Sequence, residues 1–363
     1  MNKMKKIFSI VGARPHFIKA APLMEILSES KFELKTIHTG QHYDSNMSDI
    51  FFDQLKLPTP EINLGVGSGT HAMQTSLVMN GIERILIDEK PDFVIVYGDT
   101  NSTLGATLAA AKLYIPTVHV EGGVRCENKK MPEEINRAII DKLAFYNACP
   151  SELAVDNLHK EGIYDSAHFV GDFMFDTFCL AREKIRKIDN PLKEYNIQSK
   201  NFILSTIHRE ESTKSYSRLE SILNLLSKLE YPVILPLHPR TKRLIIENGY
   251  DFESNMNLKI IEPLGYLEMI YLLTNAKLVI TDSGGLTKES FWSAVPCITL
   301  MDVTTWPETV HLGWNKLAGL NTQKIIKSIS EFIKAPPKTL PEFKNPYGEK
   351  GSALRMAKDL NWL

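Results

Sequence analysis

At 363 residues the chain exceeds the length that one hydrophobic core usually serves, so two domains are expected. Its hydrophobic (43%) and charged (23%) fractions are those of an ordinary globular protein that can bury a sizeable core in each half. A formal net charge of -1, with Lys and Arg scattered along the chain, excludes the electrostatic footprint of a nucleic-acid or anionic-membrane binder.

The N-terminal MNKMKKIFSIVGARP joins a basic start to an apolar run, but Arg14 and Pro15 cut the run short and no small-residue cleavage site follows. Lys6 to Val11 therefore reads as a first buried strand. No stretch approaches about 18 consecutive apolar residues, so no bilayer span is expected. Cys126, Cys149, Cys179 and Cys297 lie far apart without a C-x-x-C pair, which argues against structural zinc, a redox dithiol or a disulfide framework. A reducing cytoplasm fits.

After the first strand, GARPHFIK opens a helix with apolar Ile18, Ala21, Leu23 and Leu27. Arg14 and Lys19 stand where that helix begins. N-H groups at a helix start favour anions, so two cations beside them predict a phosphate or pyrophosphate site; the alternative is a pair of surface cations. Glu33 to Thr39 is a second strand with His42 at its end, a substrate contact or a loop hydrogen-bonder. A helix capped by Asp44 or Ser45 then carries Met47, Ile50, Phe51 and Leu55 inward. Gly65 to His71 lacks G-x-G-x-x-G spacing and reads as a flexible loop before the helix Gln74 to Leu86.

The apolar runs Phe93 to Tyr97 and Thr117 to Val120 read as buried strands followed by carboxylates, Asp99 and Glu121. In open parallel sheets the strands' C-terminal ends face the ligand crevice. Glu133 follows Pro132 in the first turn of a helix running to Ala144. Three acids without a metal-ligand pattern point to proton or cation chemistry, although each alone reads equally well as a cap or a loop acid. With helices Thr103 to Leu113 and Glu152 to Glu161 and the strand Tyr146 to Pro150, the alternation predicts a doubly wound parallel α/β sheet.

A break follows His168 to Gly171, where a helix from Asp172 to Lys187 and a polar segment to Lys200 separate two β-α series. The domains are placed at 1–172 and 173–351, with the closing helix at 352–363 returning to the first. The second series has strands Phe202 to Ile207, Pro232 to Leu237, Lys259 to Ile261, Lys277 to Thr281 and Pro296 to Met301. His208 and Arg209 stand at the end of the first of these. In DSGGLTKES, Ser283, Gly284 and Gly285 at a helix start suit a diphosphate, and Glu289, one turn in, suits ribose hydroxyls. The segment Asp302 to Gly319 reads as an irregular loop whose Trp306 and Glu308 cover a nucleobase or sugar.

Taken together, GARPHFIK, TGQHYD, VYGDTNST, HVEGGVR, MPEEINR, TIHRE, LHPR, EPLGYL and TDSGGLTKE resemble the non-hydrolysing UDP-N-acetylglucosamine 2-epimerase family over nearly the whole chain. The wording of several segments, KMPEEINR and TTWPETVHLGWN among them, is closer to the branch acting on UDP-2,3-diacetamido-2,3-dideoxyglucuronate. The resemblance implies two Rossmann-like domains of the glycosyltransferase-B type with the active-site cleft between them, a cofactor-free and metal-free reaction, and a homodimer. It makes Asp99, Glu121, Glu133 and His208 the catalytic set. Arg14, Lys19, His42, Arg137 and His208 become substrate contacts, Ser283, Gly284 and Gly285 the diphosphate loop, Glu289 the ribose ligand and Met269 a backbone contact to uracil. The chain departs from the family pattern at Gly122 (alanine expected), Ser212, Thr287, Met301 and Trp306 (arginine expected), and its GTHAMQ segment implies no allosteric second substrate site. A hydrolysing epimerase, a glycosyltransferase of the same fold and a non-catalytic nucleotide-sugar binder are the alternatives.

Overall fold

A computed structural model describes residues 5–28, 31–41, 53–55, 57–126, 128–188, 190–193, 196–213, 215–237, 239–250, 257–337 and 345–363. The chain forms two compact units, Met1–Leu180 with Asn345–Leu363, and Ala181–Lys344. The expected helix with Met47, Ile50 and Phe51 falls outside the described residues, as does His42.

In the first unit, seven strands make one parallel sheet in the order β3-β2-β1-β4-β5-β6-β7. They are β1 (Lys5–Val11), β2 (Phe32–His38), β3 (Ile62–Asn63), β4 (Phe93–Tyr97), β5 (Thr117–Val120), β6 (Tyr146–Cys149) and β7 (Ala167–Phe169). The central strands β1, β4 and β5 are buried almost throughout, which is why the sequence shows apolar runs there rather than alternation. Between the strands run α1 (Arg14–Ser28), α2 (His71–Glu89), α3 (Asn101–Lys112), α4 (Pro132–Leu143), α5 (Glu152–Lys160) and α6 (Phe173–Lys184). Thr70, Thr100 and Ser151 cap α2, α3 and α5 by accepting from Met73, Thr103 and Ala154 N-H, and Pro132 opens α4.

The closing segment belongs to this unit. Asp176 on α6 accepts from the Gly351 (2.7 Å) and Ala353 (3.0 Å) N-H groups at the start of α13 (Ser352–Asp359). Arg355 donates to Val170 O at 2.8 Å, and the Trp362 ring packs edge-on against Phe93 at 5.3 Å.

The second unit holds six parallel strands in the order β10-β9-β8-β11-β12-β13. These are β8 (Ile203–Thr206), β9 (Val233–Pro236), β10 (Leu258–Ile261), β11 (Leu278–Thr281), β12 (Cys297–Thr299) and β13 (Asn315–Leu317). Its helices include α7 (Tyr216–Ser227), α8 (Pro239–Glu247), α9 (Tyr266–Asn275), α10 (Gly284–Trp292), α11 (Pro307–His311) and α12 (Thr322–Lys334). Within the segment read as irregular, the structure places α11 and the edge strand β13, paired with β12. Three residues of mixed polarity are too short for periodicity to register.

Both sheets reverse their winding once, between β1 and β4 and between β8 and β11. Ligands of such sheets collect beyond the C-terminal strand ends at that reversal. The loops found there are Gly12 to Arg14, Gly98 to Asp99, His208 to Arg209 and Asp282 to Gly285.

Candidate functional site

In the first unit, side chains from three elements converge over Gly98, just past β4. Its φ is 63°, and a Cβ there would stand 3.1 Å from Lys19 Nζ, 3.8 Å from Glu121 Oε1 and 4.0 Å from His16 Nε2. Only glycine admits that backbone and that approach together. Lys19, from the second turn of α1, donates to Glu121 Oε1 at 2.6 Å, with the two side chains 7% and 10% exposed. His16 is fixed beside them: its Nδ1 accepts from Gly12 N-H at 3.1 Å, so Nε2 bears the proton and points toward Thr100 Oγ1 at 3.5 Å.

Glu121 itself has φ 77°, a left-handed conformation for a non-glycine residue. Such strain costs roughly 1–3 kcal/mol and persists only where the surroundings enforce it. The enforcement is visible: Glu121 and Gly122 N-H both donate to Ala148 O, at 3.1 and 3.2 Å. The departure at Gly122 has a cause in the same turn, because a Cβ there would meet the Asn147 side chain at 2.9 Å.

Asp99 is held differently. The buried Arg137 guanidinium bridges Asp99 and Glu134, and Asn136 donates to the Asp99 carbonyl at 2.7 Å. Burial works against the Arg137 charge, yet Asp99, Glu134 and Glu121 outweigh it and raise its pKa. Glu133, one residue before Glu134, is partly exposed and makes no ion pair among the described residues. Thus two of the three expected acids are each bonded to a cation of the expected binding set. A fourth acid, Glu134, had not been singled out; its signal was the i,i+3 spacing to Arg137.

Behind both loops lies a buried polar hub that the sequence reading missed. His119, on β5, spans Asp141 Oδ1 and the Gly98 carbonyl, each at 2.7 Å. Each ring nitrogen thus faces an oxygen. Asp141 also accepts from Gly123 N-H (3.2 Å) and Arg125 (2.6 Å), and Arg125 continues to Glu161. The hub therefore grips the backbone next to Asp99 and two residues past Glu121 at once.

In the second unit, the fully buried Asp282 accepts from the N-H groups of His208 (3.0 Å) and Arg209 (2.9 Å), and its Oδ1 lies 3.1 Å from His208 Nδ1. The half-exposed imidazole is thereby anchored at the end of β8. Ser283 caps α10 by accepting from Leu286 N-H at 3.4 Å, which sets Gly284 and Gly285 in the helix's first turn. Glu289, one turn on, is buried and accepts from Tyr266 OH at 2.8 Å. Met269 sits in α9 with its N-H bonded to Gly265 O, and Arg14 opens α1, partly exposed. No group of three His, Cys, Asp or Glu side chains among the described residues is arranged to hold a metal ion.

The family model described as UDP-N-acetylglucosamine 2-epimerase matches residues 24–361. A UDP-N-acetylglucosamine 2-epimerase homolog of Methanococcus maripaludis is 46% identical over 359 residues, covering 98% of this chain and 99% of that protein. The UDP-2,3-diacetamido-2,3-dideoxy-D-glucuronate 2-epimerase of Pseudomonas aeruginosa is 41% identical over 363 residues, covering 98% and 99%. The crystal structure of Methanocaldococcus jannaschii UDP-GlcNAc 2-epimerase with UDP-GlcNAc and UDP matches with a TM-score of 0.90 at 41% identity, over 99% of this chain and 100% of that one. The fold, two successive parallel sheets with interleaved helices, is glycosyltransferase-B-like.

Proposed function

We infer that this chain, which belongs to the UDP-N-acetylglucosamine 2-epimerase family, inverts C2 of a UDP-N-acetylated sugar. The observation that carries the reading is the pair of cation-bound acids, Asp99 and Glu121, on the two loops that flank the Gly98 carbonyl.

The C2 hydrogen of such a sugar is weakly acidic. Breaking the anomeric C-O bond first leaves an oxocarbenium-like centre that acidifies it, with UDP as the leaving group. Arg14, His208 and the Ser283-Gly284-Gly285 turn stabilise the departing diphosphate, a preorganised electrostatic contribution. A carboxylate removes the C2 proton, giving a 2-acetamidoglucal; a proton returns on the opposite face and UDP adds back to C1. Two faces need two proton carriers, and Asp99 and Glu121 fill those places, with Glu133 orienting the sugar. Lys19 and Arg137 fix the two acids in position, and Glu289 takes the ribose hydroxyls.

A protein named for UDP-GlcNAc matches this chain at 46% identity and one named for the diacetamido glucuronate at 41%, so both sugars are candidate substrates. Incubation with each in deuterium oxide, followed at C2 by NMR, separates the readings. Label appearing in a sugar still bearing UDP is the expected result. Free sugar identifies a hydrolase, and no label with either substrate defeats the epimerase reading.

We also infer a homodimer. The exposed side chains of Ile135, Ile139 and Leu143 form an i, i+4, i+8 stripe on α4, and Met73 and Leu77 form another on α2, apolar stripes that a second copy would cover. Light scattering should give twice the chain mass for the wild type and a shift toward monomer for Ile139→Glu; a monomeric wild type refutes it. No described helix is long and apolar enough to cross a membrane. No disulfide joins the four cysteines among the described residues, which fits the cytoplasm as the place of action.

A further inference from the structure

Lys288 has had no role so far, and Trp306 only that of a cover over a nucleobase or sugar. Lys288 lies one turn into α10, is completely buried, and holds its Nζ 3.5 Å from the centroid of the Trp306 ring. The Trp292 ring lies 5.9 Å from the same nitrogen. Trp306, 5% exposed, turns its edge toward the helix start: its Nε1 is 3.4 Å and its Cδ1 3.7 Å from where a Cβ of Gly284 would be, with Thr305 Oγ1 at 3.9 Å. An indole carries negative potential on its faces and positive potential at its edge. A cation on the face is attracted to the ring and draws its electrons, which strengthens the N-H as a donor.

We propose that Trp306, with Lys288 on its face, donates its indole N-H to the diphosphate of the bound nucleotide beside the Gly284 and Gly285 N-H groups, making this pair a determinant of diphosphate affinity. The inference rests on the reading of that turn as the diphosphate site. Cation, ring and helix start form one stack, so a charge buried in the core acts on an anion that it does not touch. Thr305, the neighbour of Trp306, brings a hydroxyl to the same edge.

The test is calorimetric titration of the full-length protein with UDP and with uridine, which lacks the phosphates. Trp306→Phe keeps a smaller ring face for Lys288 and removes the N-H; it is expected to weaken UDP roughly ten- to a hundredfold, the range for a hydrogen bond to a charged group, and to leave uridine unchanged. Lys288→Met should weaken UDP in the same direction, with recovery in Lys288→Arg. A change in tryptophan fluorescence on adding UDP should be lost in Trp306→Phe. Equal loss for UDP and uridine, or no loss for either, overturns the proposal while the diphosphate reading survives. Failure of the wild type to bind UDP removes both.

Discussion

Glu121→Gln is expected to slow C2 epimerisation roughly 100- to 10,000-fold, the range lost with a general acid-base group, while UDP affinity changes little. Glutamine preserves shape but cannot accept a proton from carbon, and it leaves the Lys19 ammonium, buried at 2.6 Å from Oε1, facing a neutral amide. The unfavourable φ of 77° at this position argues that the carboxylate is wanted there despite its conformational cost. Solvent deuterium incorporation at C2 should fall in step with turnover. If the purified variant turns over within about tenfold of the wild type, a change too small for a lost proton carrier, Glu121 serves only to hold Lys19. The proton-carrier assignment then passes to Asp99 and Glu133.

The largest loss of stability is expected from Asp141→Asn. Removing one partner from a buried charged network costs about 3–5 kcal/mol, because the remaining charges stay desolvated. Here the groups left behind are Arg125 and His119. Burial alone would raise the Asp141 pKa; hydrogen bonding to His119 and the charges of His119 and Arg125 overcome it and hold the value below the ordinary one. A carboxyl with a lower pKa folded than unfolded gives its full stabilisation above the ordinary value of about 3.9 and loses it as pH falls from there through the depressed value. Urea unfolding at a series of pH values should therefore show a wide gap between wild type and Asp141→Asn near neutrality that narrows in acid. A gap independent of pH contradicts this account. Because the hub bonds the Gly98 carbonyl and Gly123 N-H, the variant should also lose activity, although Asp141 is fully buried behind the loops.

The same hub ties together the loops that carry Asp99 and Glu121. Each sits on a loop whose rigidity would otherwise depend on a few backbone bonds. His119 links the two through a single ring, and its neighbours on β5, Val118 and Val120, lock that ring's backbone in the sheet. Acids on such supports would need little reorganisation if charge develops beside them, the condition under which electrostatic stabilisation is greatest.

Much of this was decided by local chemistry that a sequence displays directly. Strands buried on both faces must be continuous apolar runs, so β1, β4, β5, β8 and β11 are legible, and residues following such runs, Asp99, Glu121, His208 and Ser283, fall at the ligand-facing ends without further information. What the sequence left open is which of those ends face one another, since that depends on strand order and on side chains reaching across it. Lys19 and Glu121 are 102 positions apart, and no local period predicts that they share a proton's distance. The burial of His119 against Asp141 and the stacking of Lys288 on Trp306 belong to that class. Charges taken out of water must find partners wherever the fold brings them, and only the packed sheet fixes where that is.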